Sequence, residues 1–124
     1  MRRLIAALTL CACLPLTTVA SESQAILSAL QSPQGLLIDV RTAEEFAAGA
    51  LPGATRIGHE QIAEQIASLA PDKHQLIILY CRSGRRSGLA EQRLRELGYS
   101  NLINAGGYEA LKTLLESGTP CATC

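Results

Sequence analysis

The sequence predicts an α/β domain, a small parallel sheet with helices on both faces. Three observations point there. "LLIDV" at 36–40 and "LIILY" at 76–80 are short, unbroken apolar runs, the pattern of strands buried on both sides. Segments of helical periodicity alternate with them, as crossover connections between parallel strands require. Glycine or proline marks most junctions: Pro33-Gln34-Gly35, Gly49, Pro71, Gly98 and Gly118. The 124 residues fit one domain, and with only three Tyr and one Phe its core must come from Leu, Ile, Val and Ala.

The chain begins with Arg2 and Arg3, an apolar stretch from Leu4 to Leu16, and small residues Thr18-Val19-Ala20 before Ser21. This order predicts a signal peptide over 1–20 and a periplasmic protein. The alternative is lipoprotein processing at Cys13, because Leu10-Cys11-Ala12-Cys13 loosely resembles a lipobox. Without that anchor no membrane association is expected. The domain then runs over 21–118, and 119–124 form a cysteine-containing tail.

Within the domain, "ESQAILSALQ" at 22–31 places Ile26, Leu27 and Leu30 on one helical face. After the strand at 36–40, Thr42 and Glu45 have the spacing of a capping box for a short helix through Ala48. "LPGA" turns the chain into a brief extended piece at 55–57. Ile62, Ile66 and Leu69 share a face of a helix expected from about His59 to Leu69, ended by Pro71. The strand at 76–80 leads to a loop and a helix from about Arg86 to Leu97, expected to bury Ala90, Leu94 and Leu97. "NLINA" is a further strand, and Gly106-Gly107 opens a last helix with Leu111, Leu114 and Leu115 inward.

Eleven basic and eleven acidic residues balance, and removal of Arg2 and Arg3 with the leader leaves a net charge of −2. That excludes a general polyanion binder, and no nucleic-acid partner is expected. The basic cluster at 82–86 is therefore local. In an oxidising compartment Cys81, Cys121 and Cys124 are an odd set, whose simplest arithmetic pairs Cys121 with Cys124 and leaves Cys81 free. "CATC" at 121–124 has the spacing of a redox motif, but it follows Pro120 with no helix after it to lower a thiol pKa. A tail disulfide is the expectation, with a resolving role toward Cys81 as the alternative. No metal or cofactor is expected, since the tail cysteines lack a matching pair of ligands.

The chemistry concentrates in "YCRSGRRSG", 80–88. In parallel sheets the active crevice lies beyond the carboxyl ends of the strands, where Cys81 and Asp39 to Arg41 fall. A thiol there, ahead of a helix N-terminus, meets free backbone N–H groups and the positive end of the helix dipole. Ser83 and Gly84 are small enough to let those N–H groups turn inward as an anion nest. Arg82, Arg85 and Arg86 oppose the dipole, so helix stability does not explain them. They are expected to favour the thiolate and attract anions.

"LIDVRTAEEFAAGALPGA" together with "LIILYCRSGRRSGLAEQRLRELGYSNLINAGGYEAL" resembles a single-domain rhodanese, a sulfurtransferase, over roughly 36 to 112. The resemblance implies a rhodanese-like fold and a thiosulfate sulfurtransferase-like enzyme. It implies that Cys81 takes sulfur from an anionic donor such as thiosulfate, becomes a persulfide, and passes the sulfur to cyanide or a thiol. Arg82, Ser83, Gly84, Arg85, Arg86 and Ser87 would surround that sulfur or its donor. Asp39 and Arg41 would support the loop through hydrogen bonds. The chain departs from the family pattern at Ala50, where a histidine is common, but transfer from a thiolate needs no base there.

Two alternatives share Cys81. One is a persulfide carrier or binding module serving a partner protein; a monomer is expected in either case. The other is a phosphatase or arsenate reductase, which needs five residues between the cysteine and a phosphate-gripping arginine. That position here is Ser87, and Arg86 falls one residue early. The tighter loop suits sulfur better than a tetrahedral oxyanion. His59 and His74 lack a catalytic context, and Tyr80 and Tyr108 are expected to pack.

Overall fold

The computed structural model describes residues 18–118, with side chains described from Glu22 onward. Most of the predicted leader, with Cys11 and Cys13, and the tail with Cys121 and Cys124 lie outside the described residues. The first helix, α1 (Thr18–Gln31), starts within the last residues of that predicted leader. Then follow β1 (Leu36–Asp39), α2 (Ala43–Ala48), β2 (Thr55–Arg56), α3 (Ile62–Leu69), β3 (Ile77–Cys81), α4 (Arg85–Glu96), β4 (Leu102–Gly107) and α5 (Tyr108–Ser117).

The four strands form one parallel sheet in the order β2-β1-β3-β4. Side chains alternate across a strand, and the core divides accordingly. Ile38, Val40, Ile77, Leu79 and Cys81 point to one face with Ile62 and Ile66 of α3 and Ala90 and Leu94 of α4. Leu37, Ile78 and Tyr80 point to the other, against Ala29 of α1 and Leu111 of α5. Helices thus cover both faces, and β3 is buried along its whole length. That explains its unbroken apolar run.

Two expected helix boundaries move for local reasons. Residues 58–61 close a turn, with Gln61 N–H donating to the Gly58 carbonyl at 2.9 Å, so α3 starts at Ile62 rather than His59. Leu97, expected inside, is 42% exposed. A Schellman turn ends α4: Gly98 has φ 95°, and Tyr99 N–H donates to the Leu94 carbonyl at 3.0 Å. The turn swings Tyr99 into the core in place of Leu97, and its hydroxyl donates to the Ala70 carbonyl at 2.6 Å.

Beside β3, the last strand carries an irregularity. Leu79 pairs with Asn104 while Cys81 pairs with Gly107, so β4 spends one residue more than β3 over the same span. Gly106 takes φ 90° there. The bulge brings Gly107 so close to the loop after β3 that a Cβ on it would lie 2.7 Å from the Arg82 carbonyl oxygen.

Candidate active site

Cys81 closes β3 and is fully buried, at 0% exposure. The loop after it bends back through Gly84, whose φ of 92° is a left-handed conformation that glycine adopts without penalty. This bend aims the Gly84 N–H at the Cys81 sulfur, with N to Sγ at 2.9 Å. Ser87, in the first turn of α4 and fully buried, sets its hydroxyl 3.6 Å from the same sulfur. Burial pushes the Cys81 thiol up, yet hydrogen bonds from Ser87 (N–H and hydroxyl), Ser83 and Gly84 outweigh it, leaving the thiol below its ordinary value. A nest of donors around one sulfur therefore favours the thiolate, the reactive form.

The loop arginines contribute differently from one another. Arg82 and Arg85 are exposed. Arg86 turns toward α2 and makes a two-point ion pair with Glu45, at 2.8 and 3.1 Å. Hydrogen bonding to Glu45 raises the Arg86 guanidinium, with a smaller contribution from the Cys81 charge. Hydrogen bonds from the loop thus carry most of the thiolate stabilisation that sequence reasoning assigned partly to the arginines.

Asn104, which sequence reasoning missed, braces the nest from β4. Its Oδ1 accepts from the Ser87 hydroxyl at 2.7 Å and from Gly106 N–H at 3.1 Å, while its Nδ2 donates to the Gly84 carbonyl at 3.1 Å. A signal was available: with strand alternation, Asn104 shares the face of Leu102, a polar residue on a core-facing position. Its amide ties together the two residues that present donors to sulfur.

Asp39 and Arg41 form the opposite support. Asp39, at 0% exposure, accepts from Arg41 N–H at 2.9 Å, from the Arg41 guanidinium at 2.7–3.0 Å, and from the Tyr80 hydroxyl at 2.7 Å. Arg41 also donates to the Gly49 carbonyl at 2.6 Å, and its guanidinium carbon lies 4.3 Å from the Tyr108 ring centroid. Tyr80 accepts in turn from Leu51 N–H at 3.1 Å, and burial pushes its phenol well above the usual range. These contacts bind the ends of β1 and β3 to the segment after α2 and to the start of α5. They are structural contacts around the crevice rather than contacts to the sulfur.

Two clefts open beside this support. One is bordered by Arg41, Thr42, Arg56, His59 and Arg86, the other by Arg41, Glu45, Gly49, Arg82 and Tyr108. His74 lies apart, its Nδ1 3.1 Å from the Ser100 hydroxyl. Among the described residues no group of three or more His, Cys, Asp or Glu is placed to hold a metal ion.

Comparison with known proteins identifies the family. The rhodanese-like domain family matches residues 22–114. The chain belongs to this family. This rhodanese-like protein is 41% identical over 70 residues to the thiosulfate sulfurtransferase PspE of Escherichia coli, a match spanning 56% of this chain and 67% of that protein. It is 34% identical over 94 residues to human thiosulfate:glutathione sulfurtransferase, spanning 65% of this chain and 82% of the relative. Among solved structures, a rhodanese with anions from E. coli superimposes with a TM-score of 0.59 at 39% identity, over 60% of this chain and 88% of that one. The rhodanese fold and a rhodanese-like transferase of the sulfurtransferase class are thereby established.

The Ser87 contact gives a first expected result. Ser87→Ala removes a hydroxyl whose single proton is shared between Asn104 Oδ1 at 2.7 Å and the Cys81 sulfur at 3.6 Å, and it keeps the backbone N–H at that position. The Cys81 pKa rises, and sulfur transfer near neutral pH slows by roughly threefold, less than the worth of one full hydrogen bond to a charged group because the proton is shared with Asn104. Because the missing donor favours the charged form, the rate profile moves to higher pH and the two proteins converge above both pKa values. Alkylation of Cys81 as a function of pH measures this directly.

Proposed function

We propose that the protein moves sulfane sulfur from an anionic donor of the thiosulfate type to a nucleophilic acceptor, through a persulfide on Cys81. The Cys81 thiolate attacks the outer sulfur of thiosulfate. The sulfur–sulfur bond of the donor breaks, and sulfite leaves with its electron pair. The persulfide anion then occupies the nest of N–H groups. Cyanide or a thiolate attacks the outer sulfur, takes it as thiocyanate or a new persulfide, and restores the Cys81 thiolate. Atoms and charge balance without any metal or cofactor.

The observation that carries this reading is the Gly84 N–H placed 2.9 Å from Cys81 Sγ, with Ser87 as a second donor. Such a site holds negative charge on sulfur before and after the first transfer. The names of the E. coli and human relatives support thiosulfate as the donor, and the E. coli structure was solved with anions. The loop disfavours phosphate chemistry, since the residue after the five-residue loop is Ser87, whose hydroxyl turns to Asn104 and sulfur. Asp39, Arg41 and the remaining loop residues hold the nest in place under this reading.

We also propose that the protein works after export, in the periplasm, on the strength of the leader-like order of residues 1–20. No described helix is long and apolar enough to cross a membrane.

Steady-state kinetics test the reading. With thiosulfate and cyanide varied together, thiocyanate forms with parallel double-reciprocal lines, the mark of double displacement. Intersecting lines, or no thiocyanate from protein with a titratable Cys81 thiol, contradict it.

A further inference from the structure

The most conspicuous cation of the loop is already occupied. Arg86 and Glu45 meet through two hydrogen bonds, and their side chains are 26% and 27% exposed, so a competing anion in solution has access to the pair. The pair stands between the two clefts, with Arg86 bordering the one that holds Arg56 and His59, and Glu45 bordering the one that holds Arg82 and Tyr108. Cys81 has no exposed surface, so a donor reaches the sulfur only when some neighbouring group gives way.

The charge of Glu45 is not required by its own helix. Its role in α2 is the capping box: Thr42 N–H donates to its carboxylate at 3.3 Å, and its own N–H donates to the Thr42 hydroxyl at 3.2 Å. A glutamine fills that role equally well. Glu44 already places a carboxylate in the first turn, toward the helix dipole. What the charge of Glu45 does do is neutralise a guanidinium in the first turn of α4, next to Ser87, whose hydroxyl lies 3.6 Å from the Cys81 sulfur.

We propose that Glu45 is a built-in competitor for the donor anion: its carboxylate holds Arg86 in the resting protein, and the anionic end of the donor displaces it. Glu45 is then a specificity-determining residue that sets donor affinity. A donor bearing several anionic oxygens, as thiosulfate does, replaces both contacts to the guanidinium, whereas a weakly charged molecule does not. This deepens the sulfurtransferase reading and rests on it for the identity of the donor.

The test needs no sulfur transfer. The full-length protein is alkylated at low ionic strength with iodoacetate, an anion, and with iodoacetamide, a neutral reagent of similar size. Modification is quantified by mass spectrometry on the peptide containing Cys81. Glu45→Gln keeps the capping box and frees Arg86, so the ratio of the iodoacetate rate to the iodoacetamide rate rises about fivefold. In an Arg86→Gln background the same change has no effect on the ratio.

An unchanged or lower ratio in Glu45→Gln overturns the proposal. So does an equal rise in the Arg86→Gln background, because the carboxylate would then act only as background charge. In parallel, Glu45→Gln lowers KM for thiosulfate about fivefold with little change in kcat. Failure of the sulfurtransferase reading alone shows as a changed alkylation ratio without thiocyanate formation. Failure of the competitor proposal alone shows as thiocyanate formation with an unaltered ratio.

Discussion

Asp39→Ala destabilises the folded protein by about 3–5 kcal/mol, a large part of the stability of a domain this size. The carboxylate is fully buried and accepts from the Arg41 backbone, the Arg41 guanidinium and the Tyr80 hydroxyl. Its removal leaves a guanidinium buried to 95% without its counter-charge and strips Tyr80 of its acceptor. The cost is mostly that of the orphaned charge, which makes a sharper expectation possible. Asp39→Ala with Arg41→Met together lose less than Asp39→Ala alone, since the second change removes the uncompensated cation. Urea unfolding measures both. A loss under about 1 kcal/mol in the single variant would mean that the buried pair does not hold the crevice together.

Cys81→Ala abolishes thiocyanate formation, lowering the rate by at least about a thousandfold, because in the proposed double displacement the Cys81 thiolate is the group that carries the sulfur between donor and acceptor. Its effect on the fold is small by comparison. The side chain sits among Val40, Leu79 and Ala90 in a packed core, and deleting one sulfur atom leaves a small void costing about 1 kcal/mol. The melting temperature therefore falls by only about 4–8 °C, which circular dichroism distinguishes from unfolding. Residual activity within tenfold of the parent protein would place the chemistry elsewhere.

Much of this fold was legible because its signals are local. The apolar run at 76–80 announces a strand buried on both faces, and the Thr42–Glu45 spacing announces a capping box that forms as expected. The loop that carries Cys81 was legible for the same reason, since a short strand, small residues and a helix start are contiguous. What escaped were the pairings that bring distant segments together. Glu45 and Arg86 are 41 positions apart, and nothing in either neighbourhood indicates that they meet. Asn104 reaches Ser87 across 17 positions because β4 pairs beside β3, a neighbour relation that tertiary packing supplies. Leu97 looked like the next inward residue of α4 until the turn at Gly98 gave its place to Tyr99. The arginines were noticed for their charge, yet the charge of Arg86 is spoken for by a residue read only as a helix cap.

The central claim is that Cys81 itself carries the sulfur, and a single-turnover measurement tests it most directly. Reduced protein is mixed with thiosulfate in the absence of any acceptor, and the peptide containing Cys81 is analysed by mass spectrometry while released sulfite is measured. The account predicts one added sulfur atom on Cys81 with one sulfite released for each, and loss of that sulfur when cyanide is added. No adduct on a demonstrably reduced Cys81, or sulfite release without one, would contradict it.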